Sequence, residues 1–224
     1  MTDTNAVELP SLPARLVAVL FSPGRLMEQL AETPRWAAAL VVSALLIGLS
    51  MALIPADLFM EVQRQAAMER GVDMPEMPER AIQAMRVVIP VTTVIFSMFA
   101  SFAFSGVYTV IFAFILGDEG RFTQYLAVVA HAWFIAALFG LLVTPLRIST
   151  GDPQFTLNLA SFFFFLPDGY LLNVLRVMDL TQIWSTLVIA QGAHAIDPRR
   201  SFTSAATILL SILLIIALVV GRFM

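Results

Sequence analysis

The sequence predicts an all-α fold: a polytopic membrane bundle of five transmembrane helices, with an amphipathic N-terminal helix and an interfacial helical segment between spans three and four. Hydrophobic residues make up 59% of the 224 residues and charged residues only 13%, far from the balance of a soluble domain. Residues 87–116 and 122–146 contain no Asp, Glu, Lys or Arg, and each stretch exceeds the roughly 20 apolar residues that a helix needs to cross a bilayer. Residues 117–121 between them are polar and include two glycines, which predicts a tight antiparallel hairpin.

The composition also excludes several classes of function. The chain has no cysteine, so a disulfide, a thiolate metal site and a cysteine nucleophile are all ruled out. Its net charge of -3 comes without basic clusters, which argues against a nucleic-acid partner. There is no His-Glu-x-x-His pair, no Gly-x-Ser-x-Gly turn and no pair of aspartates within the apolar stretches. We therefore expect no catalytic residues, no metal and no cofactor, and we predict that the protein is not an enzyme.

Residues 1–35 are predicted to form a polar tail and an amphipathic helix. Ser22 is a candidate N-cap, and a proline follows it at the first helical position. The next turns place Leu26, Met27 and Leu30 on one face and charged residues on the other. Such a helix is expected to lie on the membrane surface. The alternative is a short connecting helix packed against the bundle.

The five spans are predicted to form one membrane domain, residues 36–222. Their approximate bounds are 36–54, 87–116, 122–146, 180–196 and 202–220. The first span opens with Arg35 and Trp36, a cation beside an aromatic ring, as is typical of a membrane interface. Residues 56–86 carry charges at helical spacings and a proline break at 74–78, which predicts a helical excursion outside the membrane and a short helix leading into span two.

Five spans place the two termini on opposite sides of the membrane. The arginines divide almost evenly between the two sides, so their count alone does not fix the orientation. We predict a cytoplasmic N-terminus because Arg199 and Arg200 lie in a very short loop and because the longer excursion is net acidic. In the same loop, Ser201 is a candidate N-cap for the last helix.

Small hydroxyl residues recur every four positions along the second span. They are Thr93, Ser97, Ser101, Ser105 and Thr109. This spacing aligns them as one ridge along a helix. Membrane helices associate by close approach at small residues, with Ser and Thr hydroxyls bonding across the interface or back to their own carbonyls. The ridge therefore predicts a packing surface. The alternative is the polar lining of a substrate path.

A candidate intramembrane polar site combines residues from three of the spans. It comprises His131, Gln191, Ser97, Ser101, Ser105 and Tyr108. An ionisable residue within a span is a functional hypothesis by default, and histidine titrates near neutral pH. The alternative for His131 is a neutral imidazole that donates to a hydroxyl of the span-two ridge and serves only packing.

Residues 155–166 contain four consecutive phenylalanines but are too short to cross the membrane. We predict an interfacial segment rather than a re-entrant one. A second amphipathic stretch, residues 170–177, follows, and Arg176 lies three residues before Asp179, so the two are expected to pair on one helical face or to contact a lipid headgroup. The full set of candidate interfacial or lipid-contacting residues is Arg25, Arg35, Trp36, Arg176 and Asp179.

Four stretches carry a resemblance to a known family. They are Phe-Ser-Pro-Gly-Arg at 21–25, Thr-Pro-Arg-Trp at 33–36, Phe-Thr-Gln-Tyr at 122–125 and Asp-Leu-Thr-Gln-Ile-Trp at 179–184. In their order the chain resembles the bacterial branch of the Yip family, membrane proteins named for interacting with Ypt/Rab GTPases. The resemblance implies a five-span bundle with a cytoplasmic N-terminus. For eukaryotic members it implies roles in vesicle trafficking and membrane shaping through protein partners.

Two functions remain open from the sequence. The first is a non-enzymatic membrane protein that organises lipids, membrane proteins or peripheral proteins, with a homo-oligomer among its potential assemblies. Abundant interfacial apolar residues and few intramembrane charges favour it. The alternative is a small-molecule or ion transporter or channel that uses polar residues of spans two to four. All thirteen basic residues are arginine, which with the alanine-rich composition suggests a GC-rich bacterial genome and a location in the inner membrane.

Overall fold

The computed structural model describes residues 9–73 and 77–224. Regular structure in these two ranges is helical, without a β-strand, so the all-α prediction is confirmed. The α-helices are α1 Leu12–Phe21, α2 Pro23–Glu32, α3 Ala37–Leu53, α4 Ala56–Glu69, α5 Glu79–Thr109, α6 Phe122–Thr150, α7 Tyr170–Val177, α8 Leu180–Ile196 and α9 Phe202–Val220. A π-helical segment, Val110–Ile115, continues α5, and a 3₁₀ turn, Leu159–Phe162, lies between α6 and α7.

The protein is a multi-pass membrane protein. Among the described residues, three helical units are long and apolar enough to cross a bilayer: Glu79–Ile115, Phe122–Thr150 and Phe202–Val220. α3 and α4 together make a fourth candidate, although the chain bends by 76° between them. α3 and α8 each have 17 residues, which corresponds to an axial length of about 25 Å. Three to four spans are thus supported, and the fifth, at α8, stays a prediction.

The excursion between the first two spans is helical, as predicted. α4 follows Pro55, which ends the first span. α5 begins at Glu79 and continues through Arg86 and Pro90 into the second span without a break. Of the predicted proline break, residues 74–76 lie outside the described residues.

The two N-terminal helices pack against the bundle. Ser22 occupies the N-cap position of α2 and Pro23 is its first residue, as predicted, but the Ser22 side chain forms no capping hydrogen bond. Leu26, Met27 and Leu30 are at most 1% exposed, because α2 lies against α8 and α6. The prediction that this face lies on the membrane surface is therefore wrong, and the packed alternative is confirmed.

The two hairpins place their turns at the same end of the bundle. Residues 117–121 join the second span to α6, and residues 197–201 join α8 to α9. The backbone N–H of Glu119 donates to Asp197 Oδ2 at 2.8 Å, so the two turns are in contact. We call this the turn end. The opposite end, with residues 147–179 and the last turn of α9, is the far end.

Small residues bring neighbouring helices close together. A Cβ atom built on Gly48 of α3 would lie 2.4 Å from a methyl carbon of Val94 in α5. A Cβ atom built on Gly192 of α8 would lie equally close, at 2.4 Å, to a methyl carbon of Val128 in α6. Such close backbone approach is the usual way in which membrane helices associate.

α6 continues beyond the predicted end of the third span. The sequence predicts an end at Leu146, beside Pro145, whereas the helix runs to Thr150 and ends at Gly151 with φ +69°. A proline inside a helix removes a single backbone hydrogen bond, and membrane helices tolerate this loss when neighbouring groups compensate. The continued helix carries Arg147 onto the face that looks into the bundle.

The segment between α6 and α7 is less helical than predicted. Only Leu159–Phe162 forms a helical turn. The reason is that its backbone bonds to residues at the start of α8: Leu159 N donates to Met178 O at 2.9 Å, and Leu180 N donates to Leu157 O at 2.8 Å. The four phenylalanines of residues 162–165 project from this segment and are between 38% and 87% exposed.

Candidate functional site

A cavity of about 410 Å³ lies between α3, α5, α6 and α8, towards the far end. Its inner walls are mostly apolar, and its mouth is polar. The inner part is formed by aromatic and aliphatic side chains of the four helices, and the mouth by Arg147, Asp179, Thr181 and Gln182 with the loop at Thr156. An apolar cavity with a few polar groups at one side is the usual form of a site for a small amphiphilic ligand.

Aromatic rings form the inner wall of this cavity. Phe104 packs edge-on against Trp133 with ring centroids 5.4 Å apart, and Phe139 packs against Trp184 at 5.8 Å. Gly140 lies between these rings and the mouth. A Cβ atom built on Gly140 would meet no atom within 4 Å, so there is open space above its backbone.

Arg147 supplies the positive charge at the mouth. Its Nε donates to the backbone oxygen of Phe155 at 2.9 Å, and its Nη1 donates to the hydroxyl of Ser50 at 3.3 Å. Within the described part of the chain, Nη2 forms no hydrogen bond and Arg147 forms no ion pair. The guanidinium is therefore fixed in place with donors still available to a ligand.

Asp179 supplies the negative charge and caps α8. Its Oδ1 accepts hydrogen bonds from the backbone of Thr181 and Gln182 and from the hydroxyl of Thr181. Oδ2 forms no bond with the residues that the structure describes. The predicted pairing of Asp179 with Arg176 is wrong, because α7 ends at Val177 and Asp179 belongs to the next helix. Arg176 instead pairs with Asp168 at 3.1 Å, and both of these side chains are solvent-exposed.

His131 is fully buried between α6 and α1. Its Nδ1 lies 2.8 Å from the backbone oxygen of Ala127, so Nδ1 carries the hydrogen and donates it. Nε2 is left as an acceptor and lies 3.4 Å from Nη1 of Arg15, which is itself 6% exposed. The expected bond to a hydroxyl of the span-two ridge does not form, because the only N–H of the neutral ring is already used.

The other members of the predicted polar site do not gather around His131. The serines of the ridge are buried, and each donates to a carbonyl of its own helix: Ser97 to Val94, Ser101 to Ser97 and Ser105 to Ser101, at 2.6 to 2.9 Å. They form a packing surface rather than the lining of a path. Gln191 faces Gly24 of α2. Of the residues in the predicted polar site, only Tyr108 lines the cavity at the far end.

The predicted interfacial residues are divided between the two ends. Arg25 on α2 and Arg35 before α3 are exposed, and Trp36 packs edge-on against Phe102 at 5.6 Å. These three lie with the N-terminal helices, whereas Arg176 and Asp179 lie at the far end. In the two described ranges, no three His, Asp or Glu side chains come close enough to hold a metal ion.

A partly buried ion pair joins the two turns and has no counterpart in the sequence-based prediction. Arg200 Nε donates to Asp118 Oδ2 at 2.8 Å and Nη2 donates to Oδ1 at 2.6 Å. Beside this pair, Asp197 accepts from the backbone of Glu119 and from the guanidinium of Arg199. The hydrogen bonds to Asp118 raise the pKa of Arg200, so this side chain stays charged.

We expect Asp197→Asn to remove part of the acid sensitivity of the protein. Hydrogen bonds from Arg199, and then from Glu119 N–H, hold the pKa of Asp197 well below its ordinary value of 3.8. A carboxyl group with a lowered folded-state pKa contributes stability above its unfolded pKa, and this stability is lost as the pH falls through the folded value.

The thermal midpoint of the wild-type protein in detergent should therefore fall more steeply below about pH 4 than that of Asp197→Asn. Asp168→Asn is the matched control, because the Asp168 side chain is 89% exposed and its removal should leave the pH profile nearly unchanged. Parallel profiles for the wild-type protein and Asp197→Asn would contradict the assignment.

Arg147 is the candidate site residue that the sequence analysis missed. The sequence shows it only as a charge near the end of the third span. One signal was available: Gly140, Val143 and Arg147 recur at spacings of three and four, which places them on one face of an uninterrupted helix. The proline at 145 hid this signal by predicting that the helix ends before Arg147.

The comparisons with known proteins agree with the resemblance found in the sequence motifs. The family model for the Yip1 domain matches residues 17–221, nearly the whole chain. The matched range contains α2 to α9 and every residue that lines the cavity. No curated protein and no solved structure matches the chain. The chain therefore belongs to the Yip1 domain family.

Proposed function

We propose that this protein is a non-enzymatic membrane protein of the Yip type, in which residues 36–222 form one five-span domain that organises lipids or protein partners in the bilayer. The N-terminus is assigned to the cytoplasm. The observation that carries the proposal is the exposed cluster of four phenylalanines at residues 162–165, on a backbone that is tied to the bundle.

The phenylalanine cluster is suited to the membrane interface. Phe164 is 87% exposed and Phe165 is 68% exposed, and exposed apolar side chains of interfacial segments bury at the boundary between headgroups and acyl chains. The backbone that leads into the cluster is held to the bundle, because Phe155 O accepts from Arg147 and Leu159 N donates to Met178 O. A fixed apolar wedge in one leaflet displaces headgroups and so acts on the arrangement and curvature of the lipids.

The N-terminal helices offer a second surface, suited to a peripheral protein or to the membrane surface. Val17 and Phe21 of α1 are 56% and 82% exposed, while Val19 on the opposite face is fully buried. Arg25 lies exposed on the following helix. An apolar face beside a cation supports contact with a membrane surface or a peripheral protein.

Transport is the second candidate function, and the cavity is the observation that favours it. A polar mouth at one end with Arg147 is also what a binding site for a transported solute would need. The buried and internally bonded serines of α5 offer no continuation of this path towards the turn end.

We expect Phe164→Ser/Phe165→Ser to abolish an effect of the protein on membrane shape. Purified wild-type protein reconstituted at high density should yield smaller or more tubular vesicles than protein-free lipid, as measured by electron cryomicroscopy and light scattering. The serine variant should lose this effect because the apolar wedge is removed. Phe164→Leu/Phe165→Leu is the matched control, since it keeps the apolar surface and should retain the effect.

Unchanged vesicles with the wild-type protein would contradict the lipid-organising role. In that case a photo-reactive residue in place of Phe21 tests the partner role in cells, and solute flux into the same vesicles tests transport. Flux without any crosslinked partner would replace the proposed function by the alternative.

A further inference from the structure

We propose that the far-end cavity binds one phospholipid whose headgroup carries both a phosphate and a primary ammonium, as ethanolamine phospholipids do. The phosphate binds Arg147, the ammonium binds Asp179, and one acyl chain lies along the aromatic wall. This inference deepens the lipid role of the proposed function and rests on it, because it names the lipid and the place where it is held.

The depth of the cavity fits an acyl chain. Phe104, Trp133 and Phe139 present apolar rings, and the space above Gly140 is open. Phe104 is 47% exposed, so the aromatic wall continues to the outer surface of the bundle. In a bilayer, a space of this kind at the edge of apolar helices is accessible to the hydrocarbon chain of a neighbouring lipid.

The charges at the mouth select the headgroup. Arg147 and Asp179 line the same mouth without forming an ion pair, and each keeps a polar atom, Nη2 and Oδ2, that bonds to none of the described residues. A phosphate oxygen can accept charge-assisted hydrogen bonds from the guanidinium of Arg147. A primary ammonium can donate to the carboxylate of Asp179, because it has three N–H groups.

The same two charges disfavour other common headgroups. A headgroup with a net negative charge, such as phosphatidylglycerol, satisfies Arg147 but leaves Asp179 without a cation and close to another anion. A choline headgroup has the two charges but no N–H group for Asp179 Oδ2. The ethanolamine headgroup is the one that satisfies both side chains.

The test follows the fluorescence of Trp133, which lines the cavity. A full-length protein with Trp36→Phe and Trp184→Phe keeps Trp133 as its single tryptophan. It is reconstituted in nanodiscs of phosphatidylcholine that contain a small fraction of brominated phosphatidylethanolamine, phosphatidylglycerol or phosphatidylcholine, because bromine quenches tryptophan only at short range. We expect the apparent affinity for the brominated ethanolamine lipid to be about tenfold higher than the affinities for the other two lipids. This factor corresponds to the contribution of one charge-assisted hydrogen bond to binding.

Two variants and a matched control locate the effect. Gly140→Leu fills the open space and should abolish the headgroup-dependent quenching. Gly106→Leu makes the same change in α5, where a Cβ atom also meets nothing within 4 Å, and should leave the quenching unchanged because Gly106 does not line the cavity. Asp179→Asn removes the carboxylate charge that distinguishes the two headgroups, so it should reduce the affinity for the ethanolamine lipid to that for the choline lipid.

Equal quenching by the three lipids would overturn the headgroup assignment, and so would a preference for phosphatidylglycerol. Quenching that survives in Gly140→Leu would overturn the site. If Asp179→Asn does not fold, the comparison of the three lipids and the two glycine variants still test the proposal. The vesicle-shape assay with the phenylalanine variants is independent of these results, so the cavity proposal can fail while the proposed function stands, and the reverse.

Discussion

Replacement of Arg200 by methionine should lower the free energy of unfolding by about 3–5 kcal/mol, because it leaves the partner carboxylate buried without a cation. The Asp118 side chain is 6% exposed and the Arg200 side chain 17% exposed, and two short hydrogen bonds join them. Arg200 also donates to the backbone oxygen of Leu116, so the substitution leaves an unpaired acceptor at the end of the second span.

The double variant Asp118→Leu/Arg200→Met tests whether the loss of stability comes from the unpaired carboxylate. Apolar side chains of similar size should recover most of the loss, since a buried ion pair is often no more stable than an apolar replacement. Unfolding by sodium dodecyl sulfate from mild-detergent micelles, followed by tryptophan fluorescence, measures the free energies. Arg176→Met is the matched control, because the Arg176 side chain is 45% exposed and its partner Asp168 is 89% exposed. A loss with Arg200→Met no larger than that of the control would contradict the role of the pair.

The second large effect is expected at the contact between α6 and α8. In Gly192→Ala the new methyl group would lie 2.4 and 2.6 Å from the two methyl carbons of Val128, so the helices must separate. Overpacking of this kind costs about 1–3 kcal/mol. The same denaturation assay measures it.

Gly140→Ala is the control for the α6–α8 contact. The space above Gly140 is open, so alanine should stabilise the helix by up to about 1 kcal/mol through its higher helix propensity. Val128→Ala combined with Gly192→Ala should recover part of the loss. Equal effects at the two glycines would show that helix propensity, and not the close approach, determines the result.

The bounds of the last three helices were predictable because their signals are local. Asp179 caps α8 and Ser201 caps α9 through hydrogen bonds to the backbone of their first turns. A capping residue beside a hydrophobic run shows in the sequence where the helix begins. The prediction that α9 is capped by Ser201 is confirmed, as is the range Tyr170–Val177 for α7.

The contacts that build the candidate site were not predictable, because they join residues that are distant in the sequence. At the mouth of the cavity, Arg147 bonds to Ser50, which lies 97 residues earlier in the sequence. Contacts outside the site are also long-range: Asp118 and Arg200 are 82 residues apart, and Arg15 and His131 are 116 apart. No periodicity connects such positions. Where a local rule was applied to Arg176 and Asp179, it failed because the helix ends between them.

The packing of α2 against α8 affects the order in which the protein can assemble. α2 is synthesised before any span, yet the apolar face formed by Leu26, Met27 and Leu30 has its main partner in a helix near the other end of the chain. At typical translation rates this interval lasts roughly tens of seconds. During this interval the apolar face of α2 must be kept out of water, and the lipid headgroup region can bury it. In such an assembly intermediate, α2 would lie on the bilayer surface and would leave it when α8 is inserted.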